Sequence, residues 1–392
     1  MQTQLGRMKF LFVIDSLDTG GAQRQMVNLA IGLKRRNHLV EFFCYAPGDI
    51  LGQPLEEAGI PVHWHFKRSR FSLKVILALR ELINLNNYDL VLAYLPTPNF
   101  YAIVAGRLSS RPRIPVVVSE RRCDLPQGAN LMERLARQFY RMANHITTNS
   151  HQQRFDLAIK YPWMQKHLST IYNGLDLDVF VPAAVEPDNN PLHLLTISGI
   201  APHKNGLCLV KALQILGQRD GLYPKIDWIG ELPTAGGGLA HLNEMNQAIQ
   251  DCGLTQQWQW LNQRSDIVHQ LHQHDVLVHP SYIEGVPNAV CEALACARPV
   301  IVSDIAENSI LVQHGKSGYL FDHDDPSDLA DKIKMVALLS AADRRKMGQS
   351  GRTYAENNLS KNSLVDEYEC LFSKVLNKQK STVNIVVDEQ GQ

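Results

Sequence analysis

Glu284 and Glu292 stand eight residues apart, on either side of the turn Gly285-Val286-Pro287-Asn288. Carboxylates accept hydrogen bonds from hydroxyls, so a pair at one turn suits a sugar. Upstream, Asp275-Val276-Leu277-Val278-His279-Pro280-Ser281 reads as a short apolar strand stopped by proline. Downstream, residues 289–297 read as a helix and 299–303 as the start of another strand. In an open α/β sheet, ligands lie beyond the carboxyl ends of strands, where the next helix begins. Asn288 is the expected N-cap, which would leave N–H groups of residues 286–290 facing that crevice. A helix N-terminus attracts phosphate, so carboxylates beside one predict a site for a sugar attached to a phosphate. Gly20-Gly21 offers a second phosphate approach, because the pair follows the first strand and opens a helix.

Three groupings invite a metal: Asp176-x-Asp178, Asp322-x-Asp324, and the histidines His269, His272 and His274. Both acid pairs sit in polar loops. Beside the histidines, only Asp275 could complete a set at usual zinc spacing. The expectation is a solvated helix face for the histidines and no metal at any of the three.

The elements that must hold these residues alternate apolar strands with amphipathic helices in both halves of the chain, the pattern of parallel sheets covered on both faces. The first half reads as strands at 10–14, 39–44, 90–93, 116–119 and 146–148, and helices at 22–35, 73–85, 99–107 and 131–142. The second half restarts at 192–197, with later strands at 225–229, 258–261, 276–279 and 300–302. Between them, residues 181–191 carry three prolines and break any periodic pattern.

At 392 residues the chain fits two domains of ordinary size. With 45% hydrophobic and 20% charged residues it reads as globular and soluble. No apolar run approaches the ~20 residues needed to span a bilayer, and the apolar 9–14 segment ends at Asp15 as a first strand would. Seven cysteines without a Cys-x-x-Cys pair suit reduced thiols and a cytoplasmic location. Net charge is zero, yet residues 1–181 hold 22 basic against 14 acidic side chains, and residues 182–392 hold 17 against 25. The basic half, with Lys34-Arg35-Arg36, Lys67-Arg68-Ser69-Arg70, Arg134, Arg137 and Arg141, could face an anionic membrane surface. Equally, its charge could attract the acidic half. No nucleic-acid-binding module is recognisable.

Residues 275–321 resemble the donor-site segment of the retaining, family-4 glycosyltransferases of bacterial polysaccharide and O-antigen type. That segment is a Pro-Ser…Glu-Gly-x-Pro-x-x-x-x-Glu-Ala frame, here continued by Ala293-Leu294-Ala295, Pro299-Val300 and Gly315-Lys316-Ser317-Gly318-Tyr319-Leu320-Phe321. Gly20-Gly21-Ala22-Gln23-Arg24 resembles the family's glycine loop, with Gln23 where Glu is usual. Residues 197–206 are similar to its diphosphate loop, in which an Arg precedes a Lys by five positions. Lys204 matches, and Gly199 stands at the Arg position. Residues 171–180 resemble the end of the first domain, with Asn173-Gly174 as a turn of positive φ and Phe180 packing at the hinge. Where many relatives carry a His after the strand at 116–119, this chain has Glu120 with Arg121. Arg121 and Arg122 could bind an acceptor phosphate or pair internally with Glu120 or Asp124.

The resemblance implies an α/β protein of the GT-B fold: two Rossmann-like domains whose parallel sheets face a central cleft, with a C-terminal helix crossing back to the first. Its boundaries fall at 1–181 (acceptor binding), 192–360 (donor binding), 361–377 (crossover helix) and 378–392 (polar tail). The implied activity is transfer of a sugar from a nucleotide-diphosphate donor, UDP-sugar first and GDP-sugar second, to a hydroxyl of a lipid-linked or soluble glycan. Glu284 and the backbone of Gly285, Val286, Pro287 and Asn288 would hold the donor sugar. Glu292 would hold the ribose, and Lys204 with Gly20 and Gly21 would neutralise the leaving diphosphate. Arg264 would border the base, and it or Arg24 could replace the missing arginine. No cofactor and no metal is expected. The alternatives are a catalytically silent subunit that binds nucleotide-sugar or scaffolds a glycan assembly complex, and a sugar-nucleotide epimerase of the same fold.

Overall fold

The computed structural model describes residues 6–390 apart from 19, 68–70, 111–113, 122–130, 186 and 306; the side chains at 131–134 and from 380 onward are also outside the description. Arg68, Arg70 and Arg122 therefore lie outside the described residues. The chain forms two compact units, one of Met1–Gly174 with Lys361–Gln392 and the other of Leu175–Ser360.

The first unit is built on seven parallel strands: β1 (Lys9–Ile14), β2 (Leu39–Cys44), β3 (Val62–Trp64), β4 (Leu90–Tyr94), β5 (Val116–Glu120), β6 (His145–Thr148) and β7 (Leu168–Thr170). They are ordered β3-β2-β1-β4-β5-β6-β7. β1 explains why both faces need cover, since Phe10, Phe12 and Ile14 pack into one apolar cluster and Leu11 and Val13 into another. The helix Lys361–Gln390 completes the first cluster with Val365, Tyr368, Phe372 and Val375. It runs well past the 361–377 crossover helix expected from the resemblance, into the segment expected as a polar tail. The Tyr368 hydroxyl is a buried junction, bonded to Tyr94 at 2.9 Å, Thr147 at 3.2 Å and Arg121 at 3.0 Å.

The second unit has six parallel strands: β8 (His193–Ile197), β9 (Lys225–Ile229), β10 (Trp258–Leu261), β11 (Val276–His279), β12 (Val300–Ser303) and β13 (Gly318–Phe321). They are ordered β10-β9-β8-β11-β12-β13. The strand order reverses between β1 and β4 in the first sheet and between β8 and β11 in the second. In such sheets the crevice for a ligand opens beyond the carboxyl ends at the reversal. The sequence reading missed β3, β7 and β13, which are three or four residues long. All three are sheet edges and too short to show a period.

Gly174 does not take the positive φ expected of it. Its lack of a side chain serves close packing instead, because a Cβ there would lie 3.0 Å from the Cα of Lys361. Gln25 fixes this residue from the first helix, donating to its carbonyl at 3.1 Å and accepting from its N–H at 2.8 Å.

Candidate active site

The site in the second unit begins where β8 ends. Residues Pro202–Lys204 form a 3-10 turn, and Asn205 then takes a left-handed conformation (φ 57°, ψ 35°). Asparagine is among the few side chains that tolerate this backbone, and here its amide also donates to the carbonyl of His323 at 2.9 Å. The helix Gly206–Asp220 starts immediately after, so the turn presents Lys204 beside a helix N-terminus. From the neighbouring strand β11, the chain continues through Ser281 and Glu284 into the helix Asn288–Ala295. Tyr282 N–H donates to the carbonyl of His203 at 2.9 Å and clamps the two loops together.

Their charged side chains meet, although they are 80 residues apart in sequence: Lys204 Nζ lies 2.5 Å from Glu284 Oε1. His279, the last residue of β11, places Nε2 3.0 Å from the same oxygen and 3.2 Å from Ser281 Oγ. Burial pushes the Glu284 carboxyl up, but the His279 hydrogen bond and the Lys204 charge overcome it and hold the carboxyl down at about 2. A carboxylate ionised throughout the physiological range accepts hydrogen bonds from hydroxyls and is no source of protons. Sequence reading missed His279 as a functional residue. The available signal was a polar side chain closing an otherwise apolar buried strand just before Pro280-Ser281.

Asn288 is the first helical residue and not the N-cap; Pro287 occupies the cap, in extended conformation. Pro287 has no N–H, and Val290 N–H closes on the Pro287 carbonyl at 3.1 Å. Two of the five positions expected to offer backbone donors therefore offer none. Glu292 is half-buried on this helix. Arg264 is exposed and gripped on both oxygens by Asp266, at 2.7 and 2.8 Å. Gly199 looks onto open space, with no heavy atom of the described residues within 4 Å of where a Cβ would stand.

In the first unit, Gly20 precedes the helix Gly21–Arg35 in extended conformation, and Gln23 donates to Asp15 at 3.0 Å. Glu120 is fully buried and takes Arg137 Nε and the Tyr140 hydroxyl, each at 3.2 Å. Arg121 donates to Ser119 at 2.8 Å, to Asn173 at 2.7 Å and to Tyr368, while its guanidinium lies 4.1 Å over the Tyr94 ring. Both residues thus have internal partners, where the sequence left Arg121 open to an acceptor phosphate or to pairing with Glu120 or Asp124. Several other basic residues are likewise engaged. Arg36 binds Asp366 at 2.6 Å, and Arg141 stacks on Trp163.

Of the metal readings, Asp176 caps the N–H of Asp178 at 3.2 Å, and the side chains of Asp322, His323 and Asp324 gather at the surface. The expected solvated histidine face holds only in part. His272 bonds the Val181 carbonyl at 2.8 Å, but His274 is buried.

The sequence model described as Glycosyltransferase Family 4 matches residues 19–179, and that of Glycosyl transferases group 1 matches residues 191–338. The UDP-Gal:alpha-D-GlcNAc-diphosphoundecaprenol alpha-1,3-galactosyltransferase of Escherichia coli is 25% identical over 284 residues, 67% of this chain and 70% of that protein. The N,N'-diacetylbacillosaminyl-diphospho-undecaprenol alpha-1,3-N-acetylgalactosaminyltransferase of Campylobacter jejuni is 24% identical over 315 residues, 76% of this chain and 81% of that protein. The crystal structure of Anabaena HepE in complex with UDP and glucose superposes with a TM-score of 0.75 at 21% identity, covering 94% of this chain and 100% of that one.

Proposed function

We propose, from the premise that the chain belongs to glycosyltransferase family 4 and has the GT-B fold, that it transfers a sugar with retention of configuration from a UDP-sugar to a hydroxyl of a lipid-linked glycan. The observation that carries this reading is the Lys204–Glu284–His279 cluster at the strand reversal of the second sheet. It sets a cation for a phosphate beside an ionised carboxylate for sugar hydroxyls. Glu284 orients the donor sugar, with His279 fixing the carboxylate. Lys204 and the adjoining helix N-terminus neutralise the diphosphate as it leaves. Glu292 takes the ribose. The departing phosphate oxygen accepts the proton of the incoming hydroxyl on the same face, so the protein's task is positioning and charge stabilisation.

The acceptor class is suggested by the undecaprenol-linked substrates in the names of the two relatives. A seat on the cytoplasmic face of a membrane fits the first unit's surface. Phe71, Leu73 and Leu77 are 48%, 66% and 55% exposed around the start of the helix Leu73–Leu85, while Val75, Ile76, Leu79 and Ile83 pack inward. Among the described residues no helix is long and apolar enough to cross a membrane. Gly199 supports a second reading, a silent nucleotide-sugar-binding subunit, because a charge-assisted phosphate contact is missing there.

The deciding experiment screens UDP- and GDP-sugars for released nucleoside diphosphate, with and without a polyprenyl-diphosphate-linked acceptor, and assigns the product anomer by NMR. Release that depends on both a UDP-sugar and the lipid-linked acceptor, with an unchanged anomer, is the expected result. UDP binding with no turnover on any donor would favour the silent subunit.

A further inference from the structure

We propose that His193, Asp227 and His274 form a binding site for a borderline first-row divalent cation, of which Zn2+ is the type, at the amino-terminal edge of the second sheet. His193 opens β8, Asp227 is the third residue of β9, and His274 stands two residues before β11. Their ligand atoms converge. His274 Nε2 lies 3.0 Å and His193 Nε2 3.4 Å from the same oxygen, Asp227 Oδ2, and the two rings are 4.2 Å apart between centroids. Two ligands of one metal, each at ~2.0–2.2 Å, are separated by about this distance.

The bonding of His274 makes the case sharper. Its Nδ1 lies 2.6 Å from the Gln270 carbonyl, which has no proton to give, so Nδ1 carries the hydrogen. In the neutral ring Nε2 is then a lone pair, and it points at a carboxylate oxygen inside the protein. A metal ion seated between them would satisfy both the ring nitrogen and the carboxylate. A histidine whose far nitrogen donates to a backbone carbonyl is the usual arrangement around a bound metal, and a second imidazole aimed at the same oxygen is what a simple ion pair does not require. Imidazole nitrogen selects Zn2+ and its neighbours over Mg2+ and Ca2+.

His274 is buried, while His193 remains partly exposed and leaves a route in. Asp275 holds the start of β8 in place by accepting from His193 N–H at 2.9 Å, and Arg298 donates to the His274 carbonyl at 3.4 Å. The three ligands come from β8, β9 and the approach to β11, so an ion here ties three strands together. Lys204 and Glu284 follow the opposite ends of β8 and β11, which separates this site from the transfer chemistry.

The test uses the full chain, stripped with EDTA and dialysed, then titrated with Zn2+ by calorimetry and with Co2+ by visible absorption. One equivalent should bind with low-micromolar affinity or better, raise the melting temperature, and give the absorption of a nitrogen- and oxygen-ligated Co2+ site. Asp227→Asn should lose at least about tenfold in affinity. His193→Gln, at the exposed rim, should do the same in case the buried substitution prevents folding. Asp322→Asn, at the surface cluster of Asp322, His323 and Asp324, should bind as the wild type does. No binding by the wild type would show that a proton alone fills the gap and would overturn the proposal. So would loss of the ion in Asp322→Asn with full retention in both other variants.

Discussion

Glu284→Gln should abolish sugar transfer and at the same time tighten the binding of UDP. The Lys204 ammonium pairs with Glu284 at 2.5 Å. A phosphate oxygen at hydrogen-bond distance from Lys204 would then lie about 5–6 Å from the Glu284 charge. Two like unit charges at that separation repel by roughly 3 kcal/mol at an effective dielectric of ~20, and by about 1 kcal/mol if the site is as wet as bulk solvent. Replacing the carboxylate by an amide of the same shape removes this repulsion and leaves Lys204 to the phosphate. UDP affinity should therefore rise by ~5- to 150-fold. A UDP-sugar gains less, because its sugar loses the charged acceptor for its hydroxyls. Calorimetric titration of wild type and Glu284→Gln with UDP, at fixed low salt, measures the effect directly. Lys204→Ala provides the opposite sign, with a loss of about 1.5–3 kcal/mol for one charge-assisted contact. If Glu284→Gln binds UDP no better than wild type, or Lys204→Ala binds it equally well, the diphosphate does not sit at this lysine.

Gly199→Arg should fold normally, since its Cβ meets nothing within 4 Å among the described residues, and should tighten UDP binding by restoring the missing cation; a destabilised variant or an unchanged affinity would count against the loop assignment. Because the Glu284 carboxyl is held down at about 2 from an ordinary 4.5, its stabilisation is complete above the unfolded value and disappears as pH falls through the folded one. The stability difference between wild type and Glu284→Gln should thus be as much as about 3 kcal/mol at neutral pH and roughly halved near pH 3, as followed by urea denaturation; a difference that does not change with pH would remove the ion pair from the account. Vesicle sedimentation should show salt-sensitive preference for anionic over neutral lipid, weakened by Leu73→Ser with Leu77→Ser; equal pelleting with both lipids would leave a soluble acceptor as the better reading.

What the sequence made legible was local. The apolar strands and their following helices, the Glu284 to Glu292 frame and the loop of Lys204 all carry their signals within a dozen residues. What it concealed was pairing across the sheet. Nothing near position 204 tells that its ammonium meets a carboxylate 80 residues on; that follows from β8 and β11 being neighbours. His274 looked solvated because its partners, His193 and Asp227, lie on strands tens of residues earlier. Glu120 and Arg121 looked like a pair open to a ligand. Consecutive residues at a strand end point to opposite sides, so one entered the core with Arg137 and the other turned to Tyr368 and Asn173. Gly174 shows the same limit, since its need for a missing side chain comes from Lys361 and not from its own turn.

The return of the helix Lys361–Gln390 to the first unit sets an order of events during synthesis. The second unit, Leu175–Ser360, is continuous and can close its core as soon as it leaves the ribosome. The first unit cannot, because Val365, Tyr368, Phe372 and Val375 belong to its core and are made last. At ~5–20 residues per second, the strands from β1 to β7 wait on the order of 10–40 s for them. During that interval the β1 face that takes Phe10 and Phe12 lacks its cover, with the hydroxyl of Tyr94 still short of its partner. The half of the protein made first is therefore finished second, with an apolar face uncovered while the other half can already fold.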